Sequence, residues 1–252
     1  MRQFLLPPAF AGQDRIRLEG EDAHYLTRVL RLREGDSVPA LDAGGVRYTL
    51  CILRVGPGWC EAAITASAAQ APLHGPAPEI TLLQCLPKGS KMDSIVRQAT
   101  EAGVLRIVPL VSEHTIPQGG GPAGRLSRWQ RIAREALQQS GNPRLPLLEE
   151  PRPLAAVHGG AEWGTALVFH ETPVGEESLH ALLAGSAGRV SVLIGPEGGL
   201  SPVEVAFLRG QGFRPAWMGS AVLRVDTAAI AAVALVKQIL WERSEWSLSN
   251  RQ

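Results

Sequence analysis

Arg189-Val-Ser-Val-Leu-Ile-Gly-Pro-Glu-Gly-Gly-Leu-Ser-Pro-Val-Glu204 decides the fold. Val190–Ile194 is a short, β-branched apolar run and reads as a fully buried strand. Gly195-Pro196-Glu197-Gly198-Gly199 is a sharp turn, because glycine tolerates positive φ and proline fixes φ. Ser201-Pro202-Val203-Glu204 opens a helix, with serine as N-cap, proline at the first helical position and glutamate three residues after the cap. A second copy of the arrangement follows. Ala216-Trp217-Met218 runs into Gly219, and the chain turns through Leu223-Arg224-Val225-Asp226-Thr227 into an apolar helix. Two such turns at the carboxyl ends of neighbouring strands make a crevice of the kind in which open α/β sheets bind ligands.

Composition sets bounds. The chain has 252 residues, enough for one large domain or two ordinary ones. Hydrophobic content is 45% but aromatic content only 5%, so the core must be built from Ala, Val, Leu and Ile. The net charge of +1 supplies no global field toward nucleic acid. The cations are almost all arginine, which suits bidentate phosphate contact and also follows from a GC-rich genome. Cys51, Cys60 and Cys85 form no Cys-x-x-Cys pair, and the histidines form no His-Glu-x-x-His, so neither a metal site nor a disulfide framework is expected. No secretory h-region and no run of membrane-spanning length occurs, so a cytoplasmic protein without membrane attachment is expected.

The chain divides by pattern. Over residues 1–72, short alternating runs at Arg15–Leu18, Ser37–Leu41, Val46–Val55 and Cys60–Thr65 are separated by glycine-rich turns, which predicts a small β-barrel. One helix interrupts it from about Asp22 to Leu32. His24, Arg28 and Arg31 share one of its faces, a surface suited to RNA or to solvent. Ala68–Pro78 is the expected linker. Over 73–252 strands alternate with helices: strands at Ile80–Cys85, Val104–Val111 and Ala166–Phe169, helices at Lys91–Ala102, Leu126–Gln139 and Glu176–Leu183. This alternation predicts an α/β domain with a parallel sheet covered on both faces. The last helix, Thr227–Leu240, is apolar nearly all round and must be buried centrally or at a subunit interface.

Ile-Gly-Pro-Glu-Gly-Gly-Leu-Ser-Pro-x-Glu followed by Met-Gly-x-x-Val-Leu-Arg-x-Asp-Thr-Ala resembles the two cofactor loops of the SPOUT methyltransferases. The resemblance is to the 16S rRNA uridine N3 methyltransferases of the small subunit methyltransferase E family. Leu86–Asp93, Gln98–Val104 and Arg28–Asp36 extend it over most of the chain, in order. The sequence departs from the family pattern at Val225-Asp226, where Thr-Glu is usual, at His114, where Arg is common, and at Gln138 and Asn142. The resemblance implies a SPOUT-type parallel sheet with a C-terminal trefoil knot, a PUA-like label for the small barrel, a homodimer, S-adenosyl-L-methionine as cofactor, and 16S rRNA of the small ribosomal subunit as partner.

Site residues follow from the two loops and the resemblance together. Glycines at 195, 199 and 219 let backbone groups approach a ligand. Phe169, Ile194, Met218 and Leu223 are expected to line the pocket with their backbones. His170, Glu171, Pro196, Glu197, Val222 and Thr227 complete the expected cofactor site. Arg224 is the candidate for stabilising charge on the uracil carbonyls, or for holding the uracil or a phosphate, and Asp226 or Glu197 the candidate base. Either carboxylate also suits a structural role, capping a turn or holding Arg224, and Asp226 is well placed as a helix N-cap. Arg2, His24, Arg28, Arg31 and Arg33 are expected to touch RNA, as are Lys88 and Lys91. Arg128, Arg131 and Arg134 recur every three residues and suit either a phosphate backbone or solvent.

Three motifs are decoys. Gly119–Gly124 matches Gly-x-Gly-x-x-Gly but contains Pro122 and does not directly follow a strand. Ala184–Gly188 imitates a nucleophile elbow in the wrong helix-to-strand order. Lys88-Gly89-Ser90 lacks the rest of a P-loop. Two competing readings remain open at this point: a nucleotide-binding oxidoreductase, and a non-catalytic RNA-binding protein retaining the fold.

Overall fold

A computed structural model describes residues 3–67, 78–116, 122–175 and 177–249. Arg2, nearly all of the expected linker and Gly119–Gly121 lie outside the described residues. The chain forms two compact units, Met1–Ala71 with Arg134–Leu145, and Pro72–Ala133 with Pro146–Gln252.

The first unit contains strands β1 (Phe4–Leu5), β2 (Arg15–Glu19), β3 (Ser37–Leu41), β4 (Arg47–Gly56) and β5 (Trp59–Ala66), with helix α1 (Gly20–His24) after β2. They form one sheet in the order β1-β3-β4-β5-β2, antiparallel except for β1 with β3. Alternate residues enter one core: Val38 and Ala40, Leu50 and Ile52, Cys60, Ala62 and Ile64. A register shift between Ile52 and Arg54 bends β4. Among the described residues no pairing joins β2 to β1, so the sheet curls without closing by hydrogen bonds.

The expected helix over Asp22–Leu32 is shorter and of mixed type. α1 passes into a π-helical turn at Tyr25–Val29, and Arg31 adopts φ +58°, the only positive φ of a non-glycine among the described residues. Arg31 therefore leaves the helical face that the sequence pattern gives it beside His24 and Arg28. Residues 134–145, assigned to the second domain by pattern, belong to this unit. Gln3 binds them by donating from its backbone N–H to Gln138 O and from Nε2 to Leu137 O and Asn142 O.

The second unit adds β6 (Glu79–Cys85), α2 (Lys91–Glu101), β7 (Arg106–Val111), α3 (Pro122–Ser140, its last turns in the first unit), β8 (Leu147–Leu148), β9 (Arg152–Pro153), β10 (Thr165–Phe169), α4 (Leu179–Leu183), β11 (Arg189–Ile194), α5 (Pro202–Gly210), β12 (Arg214–Ala216) and α6 (Val225–Ser249). Seven strands form a wholly parallel sheet in the order β12-β10-β11-β6-β7-β8, with β9 also on β7. Period two sorts each strand between two cores. Ile80, Leu82, Val190 and Val192 face a cluster with α2, α3, α4 and α6, while Leu83, Cys85 and Leu193 face one with α5 and Trp163.

α2 buries Met92, Ile95, Val96 and Ala99, the i, i+3, i+4, i+7 stripe of an amphipathic helix, and Gly103 at φ +81° follows its end. α4 begins at Leu179 rather than near Glu176, because the Ser178 hydroxyl accepts from Ala181 N–H and caps it there. α6 starts two residues before the expected Thr227. Its buried stripe is alanine and valine: Ala229, Ala232, Val233 and Val236 are fully buried. Each buried valine contributes about 1.5 kcal/mol or more. Leu235 stays 43% exposed, so the helix is apolar beyond what its own unit covers.

Candidate functional site

The carboxyl ends of three parallel strands lie side by side. Phe169, the last residue of β10, is in register with Ile194 at the end of β11 and with Ala216 at the end of β12. The two glycine-broken turns after β11 and β12 thus flank β10 on one edge of the sheet. β10 lies between them, so their strands are not direct neighbours, and its exit at His170-Glu171 fills the middle of the crevice. A cavity of about 260 Å³ opens there.

Most of the expected cofactor residues meet in this cavity. From β10 and its exit come Phe169, His170 and Glu171; from the first turn Ile194, Gly195, Pro196, Glu197 and Gly199; from the second Met218, Gly219, Val222, Leu223 and Arg224. Thr227 and Asp226 do not line it. The reason is helix phase. Arg224 O accepts the first helical hydrogen bond, from Ala228 N–H at 2.7 Å, so α6 already turns at Val225. Val225 and Ala228, three apart, face the cavity, and the two residues between them rotate away. Asp226 is therefore inside the first turn rather than an N-cap, and its Oδ1 is buried without a hydrogen-bond partner. Lys91, Leu200 and Ala221 also line the cavity. Of these, the sequence reading places Lys91 at RNA instead, and the other two carry no signal beyond their place beside loop glycines.

The first turn is braced from several sides. Gly199 takes φ +72° and donates its N–H to Pro196 O at 2.9 Å. A side chain on Gly195 would press to 3.2 Å from Leu200 Cγ. Ser201 and Glu204 form the expected reciprocal capping box. The other oxygen of Glu204 accepts from Glu113 N–H at 2.8 Å, and His114 Nδ1 lies 3.1 Å from Gly199 O.

Glu197 accepts from Lys91 Nζ at 2.6 Å and from Lys88 N–H at 3.0 and 3.1 Å. Burial alone raises its carboxyl, but the hydrogen bonds from Lys91, from its own backbone and from Lys88, with the Lys91 charge, outweigh burial and hold it below the ordinary value. A carboxylate so stabilised is a poor proton acceptor, since a general base works best when its pKa lies near the operating pH.

The second turn is looser. Gly219 takes φ +111°, residues 220–224 are all exposed, and Trp217 Nε1 donates to Glu171 O at 3.3 Å. Among the described residues the Arg224 guanidinium has no ion pair. Among the described residues no group of three or more His, Cys, Asp or Glu is placed to hold a metal. Burial pushes the Cys85 thiol up to about 12.

His24, Arg28, Arg31 and Arg33 are exposed in the first unit, and Lys88 is exposed in the second. No helix among the described residues is long and apolar enough to cross a membrane.

Residues 75–237 match the model of the RNA methyltransferase domain, and residues 18–64 that of the RNA methyltransferase PUA domain. The chain is 33% identical over 228 residues to the ribosomal RNA small subunit methyltransferase E of Synechocystis sp., covering 89% of this chain and 73% of that protein. It is 29% identical over 240 residues to the Mycobacterium bovis protein of the same name, covering 92% and 88%. The crystal structure of a ribosomal RNA small subunit methyltransferase E from Neisseria gonorrhoeae bound to S-adenosyl methionine superposes with a TM-score of 0.81 at 28% identity, covering 96% of this chain and 98% of that one.

Proposed function

The chain belongs to the ribosomal RNA small subunit methyltransferase E family, and from that premise we propose that it transfers a methyl group from S-adenosylmethionine to N3 of a uridine in the 16S rRNA of the small ribosomal subunit. The observation that carries the reading is the cavity at the joined carboxyl ends of β10, β11 and β12, with two glycine turns closing on it. Bare backbone at Gly195, Gly199 and Gly219 and apolar walls from Phe169, Ile194 and Met218 suit an adenosine. S-adenosylmethionine, when bound, supplies the electrophilic methyl group.

The protein's contribution is placement and charge. Methyl transfer gains most from holding the acceptor in line at close approach. Uracil N3 must lose its proton as the methyl group arrives, and negative charge spreads to the flanking carbonyl oxygens. Arg224 is the residue we assign to that charge, because it lines the cavity and its guanidinium has no other ion partner among the described residues. Glu197 we assign to bracing, since Lys91 and Lys88 already occupy it. Asp226 lies outside the lining and Glu197 is already hydrogen-bonded, so we assign acceptance of the N3 proton to water.

His24, Arg28, Arg31 and Arg33, with Lys88, are assigned to RNA contact; all are exposed. A trefoil knot through the two turns, a cytoplasmic location and a homodimer complete the proposal. The homodimer follows from the family, and the apolar face that α6 leaves uncovered at Leu235 is consistent with it. The test is methylation of small subunits from a strain lacking this enzyme, with the modified base identified by mass spectrometry. A product other than N3-methyluridine, or none, rejects the reading.

A further inference from the structure

Five ionisable side chains line the cavity: Lys91, His170, Glu171, Glu197 and Arg224. Lys91 and Glu197 neutralise each other at 2.6 Å. Glu171 is then the one lining carboxylate with no cationic partner among the described residues. Its placement is built rather than incidental. Its carbonyl accepts from Trp217 Nε1 at 3.3 Å, and the preceding His170 N–H donates to Ala216 O at 3.0 Å, so the segment is held to the β12 side. Its carboxylate oxygens lie toward the first turn, 3.8 and 4.0 Å from where a Cβ on Gly199 would stand. Glu171 thus has its backbone held on the β12 side and its carboxylate beside the first turn.

Methyl transfer breaks the S–CH3 bond with its electron pair kept on sulfur, forms the N3–CH3 bond and releases the N3 proton to solvent. The ligand so enters with a sulfonium charge and leaves as a neutral thioether, its amino-acid tail unchanged. We propose that Glu171 is the specificity determinant that makes the cavity prefer the charged donor over its neutral product, and so favours exchange after turnover. The inference rests on S-adenosylmethionine being the ligand. An exposed carboxylate facing a ligand charge changes affinity by up to about fivefold, because solvent screens it.

The experiment is calorimetry on the full chain and on Glu171→Gln with S-adenosylmethionine, S-adenosylhomocysteine and sinefungin, which carries an amine in place of the sulfonium. The expected result is a loss of about fivefold for the two cationic ligands and less than about twofold for S-adenosylhomocysteine. Retained S-adenosylhomocysteine binding also shows that the variant is folded. In the unaltered protein, added salt should narrow the preference, and in the variant it should not. Equal losses on all three ligands overturn the proposal, placing Glu171 at a part common to them; no loss overturns it as well. If the unaltered protein binds none of the three, the cofactor reading fails first, and this inference with it.

Discussion

The two glycine turns around the cavity are built from the same sequence plan and differ in how they are held. The turn after β11 is tied at several points: Glu197 to Lys88 and Lys91, Gly199 to Pro196 and His114, Ser201 and Glu204 to each other, and Glu204 also to Glu113. The turn after β12 leaves 220–224 exposed and gives Arg224 no ionic partner among the described residues. The difference separates two tasks. A braced turn presents fixed backbone groups to a ligand, and a loosely held one lets a charged side chain follow a reacting base. Both end in a helix, but only the first is locked by a capping box before its helix begins.

The strongest test of this contrast is Arg224→Ala. If the loose turn carries the chemistry, turnover should fall by about 100- to 1,000-fold while the S-adenosylmethionine Kd changes less than about twofold. Single-turnover methylation beside calorimetry separates the two, and an equal loss of both would make Arg224 a binding residue. Next come the glycines. Gly199→Ala forces a side chain into the left-handed region at φ +72°, at a cost of about 1–2 kcal/mol that the hydrogen bonds bracing the turn keep it from relieving. Its thermal midpoint should drop by several degrees. Gly219→Ala also strains a side chain, at φ +111°, but it meets no atom within 4 Å and lies beside the exposed residues 220–224, so its turn can relax. That variant should keep more stability and lose more cofactor affinity, and the reverse order would erase the distinction between the turns.

How much of this is legible in the sequence depends on the range of the interactions. The start of α5 is readable because Ser201, Pro202 and Glu204 decide it among themselves. The start of α4 reads as near Glu176 although Ser178 marks it; two glutamates before the serine extend the apparent pattern. Asp226 and Thr227 are expected in the site, and the cavity lining includes neither. A helix that begins at Val225 instead of Thr227 turns both away from the cavity, and no apolar pattern pins a start to one residue. β1 has two residues, too few to show a period. The π-helical turn at Tyr25–Val29 leaves no mark in composition. The tie from Gln3 to Leu137 and Asn142 spans more than 130 residues, so no local rule reaches it. The strand order β12-β10-β11-β6 is likewise a fact of crossovers. The cavity is foreseeable nonetheless, because parallel strands must end on one edge, and both turns follow strands.

Smaller effects probe the bracing itself. Ser201→Ala removes the acceptor of the Glu204 N–H and should cost about 1 kcal/mol in denaturant unfolding. The smallest expected effect, and the most specific, belongs to Glu197. Its folded-state pKa lies below the ordinary 4.5, so the ionised form is favoured by folding. The stability it adds is fully present above pH 4.5 and is lost as the pH falls through the lower folded value, where both states bind the proton. Glu197→Gln has no proton to bind, so it lacks that increment above pH 4.5 and converges with the unaltered protein below it. The gap at neutral pH should be less than about 1 kcal/mol, since a lysine pair this exposed is well screened. Urea unfolding from about pH 3 to 7 measures it. A gap constant over that range would mean that Glu197 acts by shape alone, and the bracing of the first turn would then rest on Ser201, Glu204 and His114 without its ion pair.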